Sequence, residues 1–101
     1  MNKKKGIITM NNVLEVKQDD VELLKVMSHP VRIQIVSHLT KNGKTNVTEL
    51  VGLLDLPQST ISQHLTKLKT NKIVQAERRG LEVYYCTVSN KANKIVSIVA
   101  S

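Results

Sequence analysis

Phenylalanine and tryptophan are missing from this chain altogether, and its only phenol rings are the adjacent Tyr84 and Tyr85. The core must therefore be aliphatic. The exposed rings on which RNA and single-stranded DNA bases stack have almost nothing to be made from. Cysteine occurs once, at Cys86, which rules out an intrachain disulfide and makes a reducing cytoplasm the expected setting. A lone thiol also lacks the partner that redox sensors use, so Cys86 is read as a small packing or surface residue. No apolar run nears the about 20 residues that span a bilayer, and the apolar stretch after the basic start MNKKKGIITM is too short for a signal-peptide core. The expectation is a protein with no membrane association. Proline (2) and glycine (4) are sparse and scattered, so no low-complexity linker divides the 101 residues, and one small domain is expected. Acidic residues are outnumbered, 8 against 15 Lys and Arg, for a net charge of +7. That surplus points to a polyanionic partner, because neutralising phosphates is the sequence-independent part of nucleic-acid affinity.

What is present reads as helices with one β interruption. Residues 1–12 are expected to be a disordered tail and 13–101 a single domain. Asp19 and Asp20 suit the start of a helix reaching Met27, whose Val21, Leu23, Leu24, Val26 and Met27 wrap most of its circumference. A helix apolar on most sides is buried on most sides, which in so small a domain implies a partner chain. Pro30 opens the next helix, about 30–40, where its missing N–H costs nothing. Val31, Ile35 and Leu39 give that helix a core stripe. Asn46 caps a third helix carrying Val47, Leu50, Val51 and Leu54. Asp55-Leu56-Pro57 turns into a fourth, about 57–71. Residues 73–88 switch to β-branched alternation broken at Arg79-Gly80, a hairpin tip, and from Ser89 helical spacing returns with Ala92, Ile95, Val96 and Val99. The predicted fold is mainly α with a small β-hairpin, a winged helix-turn-helix domain with a helix-turn-helix (about 46–71), a wing (about 73–88) and a C-terminal dimerisation helix (about 89–101). The two terminal helices form the expected homodimer surface.

The fourth helix carries the chemistry. At about 100° per residue, Ile61, Leu65 and Leu68 fall on one side and Ser59, Gln63, Thr66 and Thr70 on the other, flanked by Thr60, Ser62 and Lys67. No acid stands on the outer face. Gln can pair with adenine through two hydrogen bonds, and Ser and Thr reach bases or phosphates. The N-terminal part of such a helix enters deepest into the major groove. Gln58, Ser59, Thr60, Ser62 and Gln63 are the candidates there, with Ser59, Thr60, Ser62 and Gln63 on base edges and Lys67 and Lys69 on phosphates. His64 lies at the edge of the apolar side and suits packing or holding a phosphate better than base reading. Between Pro57 and Gly80 there are five cations (Lys67, Lys69, Lys72, Arg78, Arg79) and one acid, Glu77. Arg78 and Arg79 beside Gly80 can clamp phosphates or enter a minor groove. An ordinary solvated helix face and a merely solubilising hairpin are the competing readings for these segments. Their adjacency favours double-stranded DNA.

The segments LLKVMSHPVRIQIVSHL, TELVGLLDLPQSTISQHLTKLKTNKIV and RRGLEVYY, with Ser62-x-His64-Leu65 followed by Gly80-x-x-x-Tyr84-Tyr85, resemble the ArsR/SmtB family of bacterial winged-helix repressors over about residues 19–88. Within it they resemble the metal-independent PagR-type branch. The resemblance implies a homodimer on a palindromic operator that blocks transcription, with Arg32 supporting the fold. Many such relatives sense metals through a Cys-Val-Cys motif where this chain has Asn46-Val47-Thr48. Others use carboxylates and imidazoles on the last helix, and here no Asp, Glu or His follows Glu82. Thiolate, imidazole or carboxylate ligands are what a transition metal needs, so no metal and no cofactor are expected. The expected function is a sequence-specific transcriptional repressor. The alternative is a winged-helix interaction module that binds another regulator. No nucleophile–base pair or phosphate-cradling glycine loop stands at workable spacing for an enzyme.

Overall fold

A computed structural model describes residues 7–10 and 14–100. In chain order the elements are β1 (Ile7–Met10), β2 (Leu14–Lys17), α1 (Gln18–Met27), α2 (Pro30–Asn42), β3 (Thr45–Asn46), α3 (Val47–Leu54), α4 (Gln58–Thr70), β4 (Val74–Arg79), β5 (Glu82–Thr87) and α5 (Asn90–Val99). The winged helix-turn-helix is the observed architecture, with a three-stranded sheet in the order β3-β5-β4.

The N-terminal segment differs from expectation. Ile7–Met10 pairs antiparallel with Leu14–Lys17, in a register from Ile7 opposite Lys17 to Met10 opposite Leu14. Ile7, Ile8 and Thr9 are β-branched and favour extended backbone, a preference that the neighbouring lysine run obscured. The remainder of the expected disordered tail, residues 1–6, 11 and 12, lies outside the described residues.

Local signals account for most helix boundaries. Pro30 is the first residue of α2, and His29 caps it, its Nδ1 accepting from the Val31 N–H at 3.2 Å. Gly43, at φ 77°, stops α2 two residues later than the sequence reading placed the end. Asn46 and Glu49 form a reciprocal capping box on α3: Asn46 Oδ1 accepts from the Glu49 N–H at 2.8 Å, and Glu49 reaches back to the Asn46 N–H. Asp55 ends α3 in the left-handed conformation, φ 55°, which a short polar side chain tolerates.

The core is aliphatic throughout. Ile35, Val36, Leu50, Ile61, Leu65, Leu68 and Ile73 are fully enclosed, joined by Val26, Met27, Leu39, Val74, Ala92 and Val96. α2 lies at its centre and contributes to contacts with α1, α4, α5 and β5. Among the described residues, every buried side-chain polar atom has a partner. β3 is a feature the sequence reading missed. Two residues give no periodicity to detect, yet Thr45 pairs opposite Tyr85 and Asn46 opposite Tyr84. This short pairing ties the hairpin to the start of α3 and fixes where the wing stands relative to the helix-turn-helix.

Candidate nucleic-acid interface

The face of α4 is set by its three buried anchors. Ile61, Leu65 and Leu68 have no exposed surface, so the opposite side is turned to solvent. Ser59, Gln63, Thr66, Lys67 and Thr70 are exposed there, with Thr60 and Ser62 half-buried on its flanks. Gln58 and Lys69 are also exposed, but at about 100° per residue they project well over 90° round the helix from Gln63. They are placed to reach the sides of a groove, not its floor. Pro57, the residue before the helix, offers no side-chain cap. The leading amides are therefore not capped by a side chain and carry the positive end of the helix dipole. No acid stands in the first turn, and Lys67 and Lys69 stand in the last.

His64 is half-buried, as an edge position implies. Its Nδ1 accepts from Arg32 Nε at 3.2 Å, and its ring centre lies 4.5 Å from that of His29. Arg32 also donates through Nη1 to the Val26 carbonyl at 3.1 Å. One guanidinium on α2 thus fastens the end of α1 and the middle of α4. Accepting at Nδ1 leaves the His64 proton on Nε2, the nitrogen free to donate elsewhere. Burial first, then the charges of His29 and Arg32, hold His64 below the ordinary imidazole pKa, so the ring is neutral at pH 7.

The wing is a hairpin with a two-residue tip, Gly80-Leu81, between the paired Arg79 and Glu82. Gly80 has φ 63°, and Leu81 is not left-handed. A positive φ at the first tip residue alone is the type II′ pattern that matches strand twist. Leu81 is 98% exposed. The two acids that flank the tip do not point freely into solvent. Glu77 bonds Lys44 and Arg79, and Glu82 accepts from Asn46 Nδ2. Hydrogen bonds from Lys44 and then Arg79 hold the Glu77 carboxyl below its usual range. Lys44 and Asn46 are partners the sequence reading did not identify. They lie 33 and 36 residues from the acids they meet, and no local pattern signals such a pairing.

The remaining site questions concern metals and the terminal helices. Asn46, where metal-sensing relatives have a thiolate, is committed to the α3 cap and to Glu82. Thr48 is exposed. Among the described residues no three His, Cys, Asp or Glu side chains converge. Cys86 is half-buried on β5 opposite Gln75. α1 and α5 are bridged by Lys91 Nζ, which donates to the Asp20 carboxylate at 2.8 and 2.9 Å. A shallow groove between them is lined by Leu23, Leu24 and Ile95 with the stems of Lys91 and Lys94. Leu24, Ile98 and Val99 are more than half exposed, at 57%, 76% and 58%.

Comparison with known proteins places this geometry. The transcriptional repressor PagR of Bacillus anthracis is 45% identical over 82 residues, 81% of this chain and 82% of that protein. Its crystal structure superposes with a TM-score of 0.74 at 44% identity, covering 81% of this chain and 93% of that one. HlyU from Vibrio cholerae superposes with a TM-score of 0.75 at 32% identity, covering 80% and 87%. An uncharacterised HTH-type transcriptional regulator of Methanocaldococcus jannaschii is 33% identical over 86 residues, 85% of this chain and 97% of that protein. The model of the bacterial regulatory proteins of the arsR family matches residues 29–76, from the α2 cap into the wing. The chain belongs to the arsR family of bacterial regulatory proteins, and it is a transcriptional regulator and not an enzyme.

Proposed function

We propose that this regulator is a repressor that binds a palindromic DNA operator as a homodimer in the cytoplasm, with no metal switch. The observation that carries the reading is the α4 face. Exposed Ser59 and Gln63 stand over the buried anchors Ile61, Leu65 and Leu68, with no acid among them. Ser59, Thr60, Ser62 and Gln63 form the base-reading set, and Gln58, His64, Lys67 and Lys69 hold phosphates on either side. Arg78 and Arg79 extend the basic surface along the wing. The name of the Bacillus anthracis relative, a transcriptional repressor, supports the sign of regulation. The exposed apolar Leu24, Ile98 and Val99 support pairing of α1 and α5 with those of a second copy. Two recognition helices related by a dyad then read half-sites about one helical turn apart.

Selection of bound duplexes from a random pool, followed by gel-shift titration, tests this. The expected product is an inverted repeat, with affinity falling steeply as salt rises. Gln63→Ala should lower operator affinity by about 1–3 kcal/mol while leaving random-sequence binding nearly unchanged. A flat salt response would replace the DNA reading with that of a protein-interaction module.

A further inference from the structure

Arg78 and Arg79 are equivalent in sequence, but they leave the wing on opposite faces. Arg78 stands opposite Val83, in the same row as Ala76 opposite Tyr85 and Val74 opposite Thr87. That row is the face that packs on the core through Val74 and Tyr85. Arg79 belongs to the other row, with Glu77 and Tyr84. Its guanidinium is engaged there: Nε donates to Glu77 Oε2 at 3.3 Å, and its central carbon lies 5.5 Å from the centre of the Tyr84 ring. The second Glu77 oxygen accepts from Lys44 Nζ at 2.6 Å. Lys44 belongs to the connection between α2 and β3, so one carboxylate fastens a wing arginine to the body of the domain. Among the described residues Arg78, by contrast, donates only to the Gly80 carbonyl of its own turn, at 3.3 Å.

We infer that Glu77 is a positioning residue that withholds Arg79 from the DNA backbone and leaves Arg78 as the wing arginine that contacts phosphate. This inference rests on the DNA-binding reading above. The reasoning is electrostatic. Backbone affinity comes from cations that displace condensed counterions, each phosphate contact adding about 0.9 to the salt slope on duplex DNA. A cation already hydrogen-bonded to a carboxylate displaces fewer, and the carboxylate itself repels phosphate. The Glu77, Arg79 and Lys44 side chains are 47%, 55% and 45% exposed. Exposed pairs of this kind contribute little to folding, so the consequence of the cluster falls on what approaches the wing. Hydrogen bonds from Lys44 and then Arg79 stabilise the charged form of Glu77 and hold its carboxyl below the usual range.

The test measures affinity of the full-length protein for random duplex DNA across a salt series, for the unaltered protein and five variants. Arg78→Ala is expected to flatten the slope by about one per subunit, and Arg79→Ala to change it far less. Glu77→Gln is expected to strengthen binding several-fold and steepen the slope, a gain that a damaged fold cannot produce. Most of that gain should vanish in Glu77→Gln combined with Arg79→Ala, and Glu77→Asp should keep the parental slope. Equal flattening by Arg78→Ala and Arg79→Ala, or no gain from Glu77→Gln, would overturn this assignment while salt-dependent binding left the DNA reading standing. Salt-independent binding by the unaltered protein would overturn both.

Discussion

Among single residues, His64 shows how position on a helix becomes chemistry. An exposed imidazole on α4 would titrate like any other. Here burial disfavours the charged ring first, and the His29 ring 4.5 Å away and Arg32, which occupies Nδ1 at 3.2 Å, then oppose a second proton. The folded pKa is therefore depressed below the ordinary 6.5 of the unfolded chain. Linkage then fixes the sign: the contribution to stability is present above about pH 6.5 and is lost as pH falls through the folded value. Proton NMR titration should find the His64 ring signals shifting below pH 6.5, and Arg32→Ala should move that midpoint upward. The recovery should be partial, because burial is the larger cause and Arg32 the smallest of the three. A midpoint in Arg32→Ala equal to or lower than the parental one would refute this account.

Among elements, α3 depends on its first residue more than its length suggests. It has eight residues, with Leu50 alone fully buried, and an isolated helix that short does not persist in water. Asn46 supports it twice, satisfying the Glu49 amide at 2.8 Å and bonding Glu82 on β5. Replacing such a cap by alanine costs about 1 kcal/mol. Asn46→Ala should lower unfolding free energy by about that amount in urea titration, with the slope on denaturant unchanged. A neutral result would mean that β3 pairing and Leu50 alone hold the helix. The cap was legible in the sequence as Asn46 standing ahead of Val47, Leu50, Val51 and Leu54. The Glu82 bond was not, because nothing in a linear pattern relates residues 36 apart. The same division separates the wing, whose strands and glycine tip were readable, from β3, which two residues cannot announce. Ile7–Met10 went unread for another reason: its β preference competed with a charge run that suggests disorder.

On the scale of the whole molecule, α1 and α5 carry exposed apolar side chains, Leu24 on the first and Ile98 and Val99 on the second. Leu24 and Ile98 are exposed at 57% and 76% in the single chain, so changing them leaves the core untouched. Leu24→Glu with Ile98→Glu is expected to yield a folded monomer by sedimentation, with helical circular dichroism retained. Operator affinity should drop on the order of 100-fold or more, because two linked recognition helices bind with an advantage that either one alone lacks. A double variant that still sedimented as a dimer would place the interface elsewhere.

The sequence by itself determined the helices, the hairpin and the chemistry of their faces. Helical spacing of Ile61, Leu65 and Leu68 settled which side of α4 is buried, and the acid-free residues opposite them followed from geometry alone. Alternation and Gly80 settled the wing. These are local properties, fixed by dihedral preferences and by which side chains leave water. The tertiary structure alone decided which charges meet. Arg32 reaches His64 across 32 residues, and Lys44 reaches Glu77 across 33. The two wing arginines, identical in composition and adjacent in the chain, acquire different surroundings because strand register sends them to opposite faces. Electrostatic pairing depends on distance in space, and that distance exists only once the chain has folded.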